Sequence, residues 1–173
     1  MPATFEPIAS TTLGANTASI TLTSIPQTFT DLVLIASARS DRNSANDILR
    51  LGFNNDTNAS NYSLTFLASN SGAGTAYSSR YIRGDYYGPI FPGITSALNT
   101  ADSFGLVSVS INNYSNTTTN KTYLNRGSYL TDLGASVGLW NNTAAISSIV
   151  ISAAFGNLVS GSTFSLYGIR AGA

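Results

Sequence analysis

Cysteine and histidine are both absent from the 173 residues. Without them the chain can form no disulfide, no thiol or imidazole catalytic pair, and no zinc site of the usual nitrogen and sulfur ligands. Charge is scarce too. Lys and Arg number 8, Asp and Glu number 8, and charged residues make up 9% of the chain against about 25% in an average domain. Lys121 is the single lysine, and the arginines at 39, 42, 50, 80, 83, 126 and 170 are scattered. A phosphate-binding face needs clustered positive charge, so nucleic acid is not an expected partner. No apolar run approaches the roughly 20 residues of a membrane helix, so no membrane insertion is expected. The start, MPATFEPIAS, lacks the basic and apolar regions of a signal peptide. Several Asn-x-Ser/Thr sequons, including those at Asn55, Asn58, Asn61, Asn113, Asn116 and Asn120, therefore read as turns rather than glycosylation sites. No Gly-Lys-Ser/Thr occurs, and Gly72-Ala73-Gly74 lacks the strand-to-helix setting of a phosphate loop.

What is present is apolar and short-polar. Hydrophobic residues reach 43%, which separates the chain from the apolar-poor composition of disordered proteins. Solubility then falls to Ser, Thr, Asn and Gly, whose side chains lose little entropy when ordered or contacted. Such a surface suits packing into an assembly, or hydrogen bonding to sugars. At this length a single domain spanning 1–173 buries about two-thirds of its unfolded surface.

The hydrophobic period is two throughout. Val107, Val109 and Ile111 alternate with serines, the NNYSNTTTNK segment turns, and Ile149 to Ala154 is apolar and β-branched enough for a core strand. Residues 103–154 thus read strand, polar turn, strand, glycine-rich bend, strand. Upstream, Phe5 to Leu13 is a strand that Pro7 confines to an edge. Ala18, Ile20 and Leu22 alternate with hydroxyl residues. The Leu32-Val33-Leu34-Ile35 run predicts a strand covered on both faces. Leu49, Leu51 and Phe53 alternate, as do Tyr62, Leu64 and Phe66 beyond the Asn54–Asn58 turn, which predicts a hairpin with a polar connection. Residues 68–102 predict a long irregular loop with about one short strand. At most one short helix fits, near Ser44 to Leu49. About ten strands separated by turn signals, ending in Thr163 to Arg170, predict an all-β fold: an antiparallel β-sandwich, jelly-roll-like, with little or no helix.

Carboxylates are the remaining route to hydrolysis. The acids are Glu6, Asp31, Asp41, Asp47, Asp56, Asp85, Asp102 and Asp132, and most flank turns as structural aspartates do. A glycosidase needs two of them facing each other about 5–10 Å apart; no catalytic residue and no enzyme activity are expected. Asn54, Asn55 and Asp56, or Asp41 with Asp47, offer oxygens to calcium, but one carboxylate among amides makes a weak site and an Asx turn is the favoured reading. No cofactor or metal is expected. The most function-like feature is a cluster of Tyr77, Tyr81, Tyr86, Tyr87 and Phe91, interleaved with Arg80, Arg83 and Asp85. Tyr and Arg are enriched at interface hot spots, so the cluster is the candidate contact for protein or glycan. The competing reading packs half of the rings beneath the long loop as a satellite core. Trp140 is expected in the core or at its rim.

The runs SIPQTFTDLVLI, LRLGFNNDTNASNYS, SINNYSNTTTNKTYLNRG, GLWNNTAAISSIVI and GSTFSLYGIR together resemble a recurrent single-domain protein of tailed bacteriophages, common among aquatic phages and similar to virion structural or tail-fibre-like proteins. The similarity spans nearly the whole chain, and the order of the runs carries it more than any one of them. It implies a non-enzymatic component of the virion exterior, made in the host bacterial cytoplasm. That component would serve as capsid decoration or as part of a tail fibre. The implied partners are other virion proteins and copies of the chain itself, with a trimer as the favoured homo-oligomer. A carbohydrate-binding adhesin for a host surface glycan is the alternative, and a carboxylate-based glycan hydrolase a further one.

Overall fold

The computed structural model describes residues 4–70, 74–82, 84 and 86–170. Its elements are β1 (Phe5–Thr12), β2 (Ser19–Leu22), β3 (Asp31–Ala38), β4 (Asn46–Phe53), β5 (Tyr62–Asn70) and β6 (Thr75–Tyr81). They continue with β7 (Pro89–Thr95), β8 (Gly105–Asn112), β9 (Lys121–Tyr129), β10 (Asp132–Trp140), β11 (Ile149–Ala153) and β12 (Thr163–Ile169). The only helical element among the described residues is one 3-10 turn, Ala59–Asn61, capped by the Asn58 side chain. The strands form two antiparallel sheets. One has eight strands in the order β1-β12-β3-β8-β9-β10-β5-β6, the other four in the order β2-β11-β4-β7.

The pairings are nested. β1 pairs with β12 and β2 with β11; then β3 pairs with β8, β4 with β7 and β5 with β6, alternating between the sheets. The β9–β10 hairpin is inserted into the larger sheet between β8 and β5. This is the expected β-sandwich with jelly-roll-like nesting. The described residues form twelve strands, where about ten were expected.

Alternation places the core between the sheets. Leu32, Leu34, Val107, Val109, Ile111, Phe164 and Leu166 from the large sheet meet Leu49, Leu51, Phe53, Ile149 and Ile151 from the small one, all fully buried. Burying a side chain of this size contributes about 1.5–3 kcal/mol relative to leaving it exposed. Pro7 does lie on an edge strand, where the β1–β12 register shifts between Pro7 and Ala9.

Three expectations fail for physical reasons. β3 is covered on one face only: Leu32 and Leu34 are buried, but Ile35 is exposed, because none of the described elements stacks on the outer side of the large sheet. Little or no helix was expected, and the segment near Ser44 to Leu49 enters β4, where its residues pair with β7 and β11. β4 and β5 do not form a hairpin. The turn at Asn54 and Asn55, whose φ values are 51° and 60°, carries the chain from the small sheet to the large one. The 68–102 excursion contains two seven-residue strands, β6 at the edge of the large sheet and β7 at the edge of the small one.

Candidate contact surface

The aromatic cluster is largely absorbed by packing. Phe91 stacks on Phe66 with ring centroids 3.9 Å apart, and Tyr77 and Tyr81 set their rings against the same Phe66 at 5.8 and 5.7 Å. Tyr86 packs edge-on against Tyr81 and Phe155. Tyr87 lies over the outer side of the small sheet. Its hydroxyl is 2.7 Å from the Ser152 hydroxyl, and the Arg50 guanidinium sits 4.5 Å above its ring. Gly52 beneath it has no side chain to intervene; an added Cβ would already touch the Tyr87 ring at 3.6 Å. Tyr87 therefore covers Ser152 on the outer side of the small sheet, and every residue of β11 is buried. Tyr77, 42% exposed, and Arg80 are the members that stay at solvent, both on edge strand β6. Arg83 and Asp85 lie outside the described residues.

The acids proposed as calcium ligands fasten loops. Asp56 accepts hydrogen bonds from the Trp140 indole N–H at 2.8 Å, the Asn61 amide at 2.8 Å and the Asn58 backbone N–H at 3.0 Å. Burial alone would push its carboxyl up, but these three donors together outweigh burial and hold it below the usual range. Asp41 is held low chiefly by the Asn157 backbone N–H, and then by the Asn157 side-chain amide. Asp47 receives N–H bonds from Ile48 and Gly156, and Asp31 receives one from Asn113. Asn54 accepts from Ser147 and Ser148 and donates to Ala145. Among the described residues no group of three acidic side chains is close enough to hold a metal ion.

Most arginines are equally local. Arg39 donates to the carbonyls of Asn99, Thr100 and Ser103, Arg42 lies 4.2 Å over Phe155, and Arg170 pairs with Glu6 at 2.6 Å. Lys121 is buried, its ammonium donating to the Thr119 and Thr143 carbonyls, and that burial lowers its pKa.

The feature without an internal explanation is the outer face of the large sheet. Leu67 of β5, Leu106 of β8, Leu124 of β9, Leu133 and Val137 of β10, and Ile35 of β3 all point outward, between 41% and 62% exposed. Registration brings them together: Leu124 is opposite Val137, Leu67 opposite Ala135, and Ala135 opposite Arg126. Hollows mark this face, two of them among its leucines. One of about 570 Å³ is bounded by Leu67, Leu106, Leu133 and Arg126. Another, of about 280 Å³, is bounded by Leu67, Leu124 and Val137. Between the leucines stand Ser108, Ser110 and Ser128, and Arg126 is the charged side chain in the middle.

Sequence reasoning missed this face because the alternation of β10 is inverted. Its large residues, Leu133 and Val137, point outward, while Gly134, Ser136 and Gly138 point in. The inward positions are small because rings from neighbouring elements occupy that space: a Cβ on Gly138 would fall 1.9 Å from the Tyr123 ring. The period was visible in sequence; which side faced the core was not.

No protein-family model matches the sequence, and no curated protein matches it. Among solved structures the chain is similar to Caenorhabditis elegans galectin LEC-6, at 4% identity, covering 94% of this chain and 96% of that one with a TM-score of 0.36. It is also similar to alginate lyase Aly36B, at 15% identity, covering 94% of this chain and 79% of that one with a TM-score of 0.34. We draw nothing about function from either.

Proposed function

We propose that the chain is a non-enzymatic structural component of a tailed-phage virion exterior, a capsid decoration or tail-fibre protein, that works by docking. The observation that carries the docking role is the apolar, charge-poor outer face of the eight-stranded sheet. Isolated exposed apolar residues are ordinary, but a contiguous patch of this extent marks an interaction surface. Placement on a virion is supported by the ordered runs that resemble phage structural proteins. The non-enzymatic reading is supported by the absence of His and Cys and by the structural engagement of Glu6, Asp31, Asp41, Asp47 and Asp56. Arg80 of β6 adds a charged group at the edge of the apolar face, while Tyr77 points to the other side of that strand, against Phe66.

Mass spectrometry and immunogold labelling of purified particles test the placement. The expected outcome is labelling at regular positions on the head or the tail, and particles lacking the protein should show weakened heads or failed adsorption respectively. Absence from purified particles overturns the virion reading. Polysaccharide cleavage by the purified protein, abolished by a single Asp→Asn change, overturns the non-enzymatic one.

A further inference from the structure

We infer that the outer face of the eight-stranded sheet mates with the same face of a second copy of this chain, forming a twofold dimer. The inference rests on the reading of that face as a contact surface and names its occupant.

Three observations converge on a copy of the chain as that occupant. The first is area. From their fractional exposures, the six outward apolar side chains present on the order of 600 Å². With the interleaved serines and alanines this approaches the roughly 800 Å² per partner of a standard stable interface. The second is shape. Leu67 and Ala135 line both hollows, so a knob stands directly beside its own kind of hole. An isologous contact requires each copy to offer both a knob and a hollow that can receive it, and this face carries both. Sheets also pack face to face readily, about 10 Å apart, by interdigitating such side chains. The third is charge. A surface that mates with itself cannot carry much net charge; Arg80 stands at the β6 edge of this face, and among the apolar side chains themselves Arg126 is the charged residue. It makes no hydrogen bond or ion pair among the described residues.

Arg126 also separates a copy of the chain from an unlike partner. A twofold axis that superposes the patch on itself passes near its centre, where Arg126 lies. The two guanidinium groups then approach each other, and their repulsion is relieved by salt. An acidic partner would instead use Arg126 as its anchor.

Sedimentation equilibrium of the full chain over a concentration series tests the inference, with two leucine variants, a control and an Arg126 variant. A dimer is expected for the wild type. Leu67→Asp and Leu133→Asp should each shift it to monomer with an unchanged circular dichroism spectrum. Leu98→Asp, an exposed leucine away from this face, should leave the dimer intact. Arg126→Gln should tighten the dimer several-fold at low salt, and the gain should shrink at high salt. A wild type that stays monomeric, a trimer, or an oligomer indifferent to Leu67→Asp overturns the inference. So does an Arg126→Gln dimer that is weaker than the wild type. A monomeric protein still found on purified particles overturns the self-pairing alone; a dimer absent from particles overturns the virion reading alone.

Discussion

Asn125 sits in the middle of β9 with its carboxamide between the sheets, beside Val109 on one side and Ser136 on the other. It is fully buried, yet neither Oδ1 nor Nδ2 meets a hydrogen-bonding partner among the described residues. Removing an unpaired buried polar group removes its desolvation penalty, whereas removing one half of a real pair adds one. Lys121, four residues earlier, is the opposite case, since two carbonyls receive its ammonium and hold the polar turn to the 141–146 segment. Asn125→Val should therefore stabilise the fold by about 1 kcal/mol, read as a higher urea midpoint with an unchanged slope. A lower midpoint would mean that the amide is paired in solution.

At the scale of the element, β10 shows how the period of a strand and its orientation separate. The Gly138 backbone lies against the Tyr123 ring, and Gly168 of β12 lies against Phe29 in the same way, so aromatic rings fill what a side chain would have filled. Gly138→Ala should cost about 2–3 kcal/mol through overpacking. Combining it with Tyr123→Leu should recover part of that loss, a coupling that thermal unfolding of the two single variants and the double variant would measure. Additive losses would show that the ring has room to move away. The strands themselves were legible because alternation is a local property: β8, β11 and β12 were readable from their own residues. Pairing partners were not. Clean alternation in β4 and β5 shows that each has one buried face, but it carries no information that those faces belong to different sheets. The aromatic cluster was legible as a cluster, and its use as a cover over the small sheet depended on Gly52 and Ser152, which no local pattern connects to Tyr87. The outer face was hidden for a related reason. Leu133 and Val137 look like core residues until Tyr123 is placed.

For the molecule as a whole, the absence of histidine leaves no side chain with an ordinary pKa between about 5 and 8, so stability should be flat across that window. Below it the depressed carboxyls act. Asp41 and Asp56 are held below the usual carboxylate range in the folded chain and return to about 3.9 on unfolding. A depressed acid contributes its stability above the unfolded pKa, and that contribution disappears as pH falls through the folded one. Unfolding should therefore become easier as pH drops below about 4, not near neutrality. Trp140 is the single tryptophan and donates its indole N–H to Asp56, so its fluorescence reports this event directly. Asp56→Asn replaces a charged acceptor of three hydrogen bonds with a neutral amide, which should lower stability at pH 7 by about 1–3 kcal/mol. It should also flatten the acid limb, because one depressed carboxyl is gone. Denaturant titrations of both proteins from pH 2 to 8 should then give curves that lie apart at neutral pH and converge in acid. A constant separation at every pH would show that the loss at position 56 is one of packing around Trp140, and that the charge of Asp56 contributes nothing to holding the β4–β5 crossover against the end of β10.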